Sequence, residues 1–411
     1  MKRNEEYVYK IYLLVFVFST IFIGIQTIIY QKMYGEGVGV DLKLDNLSIA
    51  LLIFLQCVTL LLALPVFHYT KRCRLTIGYK KHLFTLNMKR LHVFVFFLLC
   101  VQIFFSIRTG ANIVGHTTTE SGSAVSSVLN MLKISAFMPI YYVVARERKK
   151  IYWVNVILWI AYQLVCGWTS IILQVAFIEL FLQLKDKPQG PLVQLGYKLS
   201  GLATLVAILI GGFIYKYAWV IKNSIRYGFK MDAISYTEGI GKLLTRFTSF
   251  PLAIVSIQQH DIITQLYQSQ NIKLVDIKSI FRTLLPSAIM GDKGFRTINN
   301  IIIKSMYRDL SNNTSSNYCI WLFWRDLLSS SPMDFFVYII VVFILLMVSK
   351  KIIYMFDNGN GNVDILYFML IFQFFDGYSA ETLFGYGYIG LIYLIPLMML
   401  LGIIKLQSTE K

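Results

Sequence analysis

Six arginines, Arg226, Arg246, Arg282, Arg296, Arg308 and Arg325, are spread over one polar stretch between Trp219 and Asp334 of an otherwise apolar chain. A guanidinium offers a planar fork of donors, stays charged at physiological pH and grips phosphate oxygens in pairs. Such a group suits a diphosphate: it would bind the anion and stabilise the charge that develops as it leaves. Lys293 adds a further cation to the set. The ordinary alternatives are contacts with anionic phospholipid headgroups, or ion pairs with Asp232, Glu238, Asp261, Asp276, Asp292 and Asp309. His260 stands on the same stretch, in IVSIQQHDII. Histidine exchanges protons near neutral pH, so it suits a general base acting on a sugar hydroxyl. Asp261, its neighbour in sequence, would point elsewhere on a helix. His116, in RTGANIVGHTTTE, is a second candidate, and Asp41 and Asp45 are carboxylates of a loop near the N-terminus. No HExxH, paired Cys/His cluster or DxD occurs in the polar loops, so neither a metal nor another cofactor is expected.

Membrane helices must position these residues. Hydrophobic residues make up 56% of the 411 and charged ones 15%, with mean hydropathy +0.60; a soluble chain is about a quarter charged. The apolar runs reach about 20 residues, enough to cross a hydrocarbon core as helix. The spacing predicts about ten spans: Ile11–Tyr30, Ser48–His68, Leu91–Ile107, Val128–Ala145, Ile151–Cys166, Thr169–Leu184, Leu199–Trp219, Phe335–Ser349, Ile365–Phe375 and Phe384–Ile404. The expected fold is an all-α polytopic integral membrane protein in three parts. Residues 1–219 hold seven spans, 220–334 form one large outer loop with amphipathic helices, and 335–411 hold three more.

Alternate connections are basic. Lys2, Arg3 and Lys10 precede the first span, and Lys71, Arg72, Arg74, Lys80, Lys81, Lys89 and Arg90 follow the second. Arg146, Arg148, Lys149 and Lys150 follow the fourth, Lys185, Lys187 and Lys198 the sixth, and Lys350 and Lys351 the eighth. Basic short loops stay in the cytoplasm, so both termini are expected there and the large loop outside. The net charge of +17 is mostly this orientation signal, and no soluble basic face calls for nucleic acid. Five scattered cysteines form no CxxC pair and no disulfide framework is expected.

Within the loop, Ile240, Leu243, Leu244 and Phe247 recur on one helical face, with Lys242 and Arg246 four apart on another. Ile277, Ile280, Phe281, Leu284 and Leu285 make a second apolar stripe beside Lys278 and Arg282, and Pro286 should end that helix. Two cation-edged amphipathic helices could lie on the outer membrane surface or cap a cavity between spans.

Two motifs, RTLLPSAIMGDKG from Arg282 to Gly294 and the Gly/aromatic run from Phe384 to Gly390, join this topology to give a resemblance over most of the length. The chain resembles the Wzy-type O-antigen polymerases of bacterial surface-polysaccharide assembly. The resemblance implies a glycosyltransferase of the inner membrane with a periplasmic site. It would move a growing glycan from one undecaprenyl-pyrophosphate to the terminal sugar of an undecaprenyl-pyrophosphate-linked repeat unit. Arg226, Arg246 and Arg282 would then face the pyrophosphate, with Lys293 and Arg296 next. Its partners would be these lipid-linked oligosaccharides, the bilayer and a chain-length regulator. An O-antigen ligase and a lipid-linked oligosaccharide flippase are the alternatives.

Overall fold

The computed structural model describes residues 2–35, 40–73, 84–109, 128–129, 131–146, 150–166, 170–185, 211–213, 215–217, 219–220, 224, 234–270, 272–285, 289, 294–306, 317–357 and 359–406. Arg226, Lys293, Arg308, His116 and most of 199–219 lie outside them.

The described chain is almost wholly helical. The first half contains α1 (Lys2–Tyr30), α2 (Asn46–Leu61), α3 (Ala63–Arg72), a strand β1 (Phe84–Leu86), α4 (Met88–Thr109), α5 (Ile134–Val144), α6 (Lys150–Val165) and α7 (Ser170–Lys185). The large loop supplies α8 (Tyr236–Leu244), α9 (Phe250–Gln258), α10 (His260–Gln268), α11 (Val275–Leu284), α12 (Ile298–Met306) and α13 (Ile320–Ser330). Then come α14 (Pro332–Met355), α15 (Asp364–Phe375), a π-turn at Glu381–Gly385, a 3₁₀ turn at Tyr388–Ile392, α16 (Leu394–Leu400) and a strand β2 (Ile404–Leu406).

The long helices are apolar all round, as lipid requires. On α1, Val8, Tyr12, Phe16 and Ile23 are buried while Leu14, Phe18, Ile25 and Ile29 are exposed. On α14, Tyr338, Val342 and Leu346 are buried while Phe336, Ile340 and Ile344 are exposed. Ser331 starts α14 by accepting the amide of Asp334, and Pro332 takes the first-turn place where its missing N–H costs nothing.

Five described helices are long and apolar enough to cross a membrane: Glu6–Tyr30, Asn46–Arg72, Met88–Thr109, Pro332–Met355 and Glu381–Leu400. A sixth arises if a pair bent by 72° within the loop counts as one. At the fourth, fifth, sixth and ninth expected spans stand the shorter helices α5, α6, α7 and α15, of 11, 16, 16 and 12 residues. The expected run Val128–Ala145 is not one helix, because Lys133 adopts a left-handed conformation and α5 starts after it.

The ends of the helices sort into two groups. Lys71 pairs with Asp364, to which Tyr354 also donates. Lys350 Nζ donates to the carbonyls of Thr70, Lys71 and Cys73 at 2.8–2.9 Å, closing the C-terminus of α3. Lys185 donates to Asn360 O and Asn362 Oδ1, and Arg146 pairs with Glu179 at 2.6 Å. Tyr9, early in α1, packs on Phe67 and Phe368. The strands pair antiparallel, Phe84 opposite Leu406, where α4 starts and the last helix ends. At the other end the large loop meets the first loop, with Gln258 donating to Asp41 O, and the segment after α15, with Asn299 donating to Gly377 O.

The loop does more than cover that end. Its bent pair, Glu238–Phe247 and Phe250–Gln258, enters the bundle, and Phe250 to Ser256 are all buried. Thr248 hydrogen-bonds Thr20 at 2.8 Å, and Phe247 packs edge-on against Phe16. Thr20 lies ten residues, about 15 Å, from the Tyr30 end of α1. The two stretches expected as amphipathic helices, on the outer surface or capping a cavity between spans, form α8 and α11. The stretch FPLAIVS, apolar on nearly every side, is a buried half-helix between them.

Candidate functional site

His260 and the described arginines divide: Arg325 joins the histidine through Asp326, while Arg246, Arg282 and Arg296 make their contacts elsewhere. His260 opens α10, and its ring reaches α13, where Nε2 lies 2.7 Å from Asp326 Oδ2. An ionised carboxylate only accepts, so Nε2–H donates and Nδ1 is left as the basic nitrogen. Asp326 is held in turn by the Arg325 guanidinium, at 2.9 and 2.8 Å to Oδ1, with the Tyr318 hydroxyl 3.4 Å from Oδ2. Both His260 and Asp326 are partly open, with 31% and 24% of the side chain exposed. Asp261 Oδ1 is 3.5 Å from Nδ1, too far for a hydrogen bond of normal strength, and its side chain projects into the open. The pair has the composition of a base and its orienting acid: the carboxylate fixes the tautomer and would stabilise the imidazolium.

Arg282 lies near the C-terminus of α11, which stops at Leu284 with Leu285 extended, as a residue before proline must be. Among the described residues its carboxylate partner is Glu381, in the π-turn of the final segment, rather than Glu238, Asp261 or Asp276. Nε and Nη2 grip the two carboxylate oxygens at 2.9 and 2.6 Å, while Nη1 donates to Phe295 O at 2.5 Å. The guanidinium also stacks on the Phe295 ring, 4.9 Å from its centre, and Lys278 approaches the same ring. Side-chain exposures of 21% and 9% make this a buried ion pair. Gly385 permits the approach of α11, since a Cβ there would stand 2.1 Å from Thr283 Oγ1. Asp276, one turn and a half back on α11, is buried, and among the described residues no side chain hydrogen-bonds either oxygen. Burial, then the charge of Glu381, pushes its carboxyl up to about 7.

The remaining candidates fall elsewhere. Arg296 is bound through its backbone to Gln270, amide to Oε1 and carbonyl to Nε2. Gln270 lies just past α10, whose nine residues, about 13 Å, separate that contact from His260. Arg246 is exposed and donates Nε to Tyr215 OH at 2.9 Å, next to Lys242 stacked on Trp219. Arg226 and Lys293 lie outside the described residues.

A buried polar network, absent from the sequence reading, joins the half-helix to the spans. Gln56 Nε2 donates to Ser249 Oγ, which donates to Asp376 Oδ1; Asn317 Nδ2 lies 3.3 Å from Oδ2. Cys319 Sγ meets Gln56 Oε1 at 3.5 Å. Gly377, at φ +87°, follows, and a side chain there would collide with Tyr318 O. Asp376 ends α15 about 18 Å along its twelve residues, roughly half a span.

No family model, curated protein or solved structure matches this chain. Among the described residues no three His, Cys, Asp or Glu side chains gather as metal ligands, and all five cysteines are free.

Proposed function

We propose that the chain is a membrane glycosyltransferase of the O-antigen polymerase kind. It would pass a glycan from undecaprenyl-pyrophosphate to an undecaprenyl-pyrophosphate-linked repeat unit at the periplasmic side of the bacterial inner membrane. On this reading the end rich in Lys71, Lys185 and Lys350 faces the cytoplasm with both termini, by the bias of basic loops. The shorter helices complete about ten crossings, and the large loop builds the periplasmic site. One observation carries the reading: at the end away from these lysines, loop helices set into an apolar bundle hold a part-buried His–Asp pair and arginines.

The chemistry follows from those residues. An acceptor sugar hydroxyl gives its proton to Nδ1 of His260 while its oxygen attacks the donor's anomeric carbon. The bond from that carbon to the diphosphate oxygen breaks, and the lipid diphosphate leaves with the electron pair. Asp326 holds the ring and balances the imidazolium, with Arg325 the described arginine on that same carboxylate. Binding the leaving diphosphate is the role the resemblance implies for Arg226, Arg246, Arg282, Lys293 and Arg296, and Arg246, Arg282 and Arg296 would have to reach it from their separate contacts. Activation is stored in the donor diphosphate, so the protein contributes positioning and electrostatics. A chain-length regulator would be a further partner.

The network of Gln56, Ser249 and Asp376 beside a bent helix favours a second reading, a lipid-linked oligosaccharide flippase, since transporters place polar groups at broken helices at mid-depth. A lipopolysaccharide gel from a strain lacking the gene separates the two. A ladder collapsed to core plus one repeat unit supports the polymerase. Loss of every band, including the single repeat, supports the flippase or the ligase, and an unchanged ladder removes all three.

A further inference from the structure

Lys133 combines three local conflicts. It sits in the left-handed region at φ 47°, ψ 42°, which lysine rarely adopts. It occupies the N-cap of α5, where the helix dipole repels a cation and where Asn, Asp or Ser would cap the first amides. No side chain caps that terminus. Its ammonium, within a stretch apolar enough to have been read as a span, makes no salt bridge or hydrogen bond among the described residues. It lies instead over the Tyr386 ring, 4.1 Å from the centre.

The surroundings keep that ammonium available. Glu381 is the carboxylate whose charge it feels, but both Glu381 oxygens are gripped by Arg282. Gly390 makes room for the lysine stem, since a Cβ there would stand 2.8 Å from Lys133 Cγ. Tyr386 and Ile392 are themselves more than half exposed, so apolar surface suited to lipid adjoins the cation. An anion at this point would relieve both the unpaired ammonium and the uncapped amides, and a lipid chain could lie along the adjoining surface.

We infer that Lys133 binds a phosphate oxygen of a lipid-linked diphosphate, its ammonium being presented over Tyr386 beside the Arg282–Glu381 pair. This inference rests on the proposed function. An anionic phospholipid headgroup offers similar phosphate chemistry, and the test must separate the two.

The full chain is reconstituted in phosphatidylcholine nanodiscs and titrated with undecaprenyl diphosphate, with phosphatidylglycerol as competitor. Wild type is compared with Lys133→Asn and Lys133→Arg. Asparagine accepts left-handed backbone and caps helices, so Lys133→Asn should unfold at or above the wild-type temperature. Its affinity for the diphosphate should fall by about tenfold to a hundredfold, the worth of a charged hydrogen bond. Lys133→Arg should stay within a few fold of wild type. Unchanged affinity in Lys133→Asn, or loss of its fold, overturns the inference, as does displacement of the diphosphate by equimolar phosphatidylglycerol. Wild type that binds no undecaprenyl diphosphate removes the proposed function as well; wild-type binding that Lys133→Asn leaves intact removes this inference alone.

Discussion

Replacing Arg282 by alanine tests whether this arginine is first a structural or a catalytic group. Its guanidinium satisfies both oxygens of Glu381 and one backbone carbonyl, with four-fifths of the side chain covered. Removing it leaves a carboxylate 9% exposed without its partner. Breaking a buried pair from one side costs about 3–5 kcal/mol. Against typical margins of about 5–15 kcal/mol, that should visibly lower the amount of folded protein in the membrane. Removing both charges with Arg282→Met and Glu381→Leu leaves no orphan and should recover much of the loss, a coupling of about 2 kcal/mol or more. Thermal unfolding of the wild type, both single variants and the double variant in nanodiscs measures the cycle. Glycan ladders from the same four genes report function. A double variant with restored stability and no ladder would assign Arg282 a role on substrate beyond the pair. Arg282→Ala with wild-type unfolding temperature would refute the argument, since the pair would then contribute nothing to the fold.

Asp276 gives a pH signature. Its folded pKa of about 7 exceeds the unfolded 3.8, so the folded state holds the proton more tightly. Stability is fully present below the unfolded value and falls as pH rises toward the folded one, by about 4 kcal/mol at most over that window. Asp276→Asn should therefore stabilise by an amount that grows from pH 4 to 7 and then levels off; a pH-independent difference in unfolding temperature would contradict this. For the His–Asp pair, His260→Gln should abolish the ladder with the unfolding temperature nearly unchanged, because the ring is partly exposed. Asp326→Asn should reduce turnover less than His260→Gln does, by disturbing the tautomer; ladders of normal length from His260→Gln would exclude a base at this position.

The helical membrane character was legible because it depends on composition and run length, which are properties of the chain itself. So was the helix that carries Arg282, with its end before Pro286; its buried face, Val275, Asp276, Ser279 and Ile280, shares only Ile280 with the apolar stripe, and Phe281 is exposed. What escaped depended on contacts between distant segments. Glu381 lies 99 residues from Arg282 and Asp326 lies 66 from His260, and no local periodicity connects either pair. The half-helix Phe250–Gln258 has nine residues, too few to register as a span, and its neighbours are polar. Lys133 was hidden for the opposite reason: a single charge within an apolar run does not interrupt the run, yet here the backbone breaks at it.

The half-helix and α15 together explain how irregular backbone is held inside the bundle. Buried amides and carbonyls away from water must find partners within the protein. Ser249, at the start of the half-helix, links Gln56 to Asp376 at the end of α15, while Asn299 and the Tyr318 amide both donate to Gly377 O. Each break is therefore closed by side chains from a different element, which fixes the loop against the spans rather than leaving it on the surface. Asn299 lies on α12, which packs beside α10, so the element bearing His260 is tied to this same floor. For the proposed transfer, the base would be positioned by contacts reaching about 15 Å into the bundle. The headgroup of a lipid-linked donor could then be met without leaving the bilayer. A loop merely resting on the membrane would have no such anchor for the pair of lipid-linked substrates that the reaction must align.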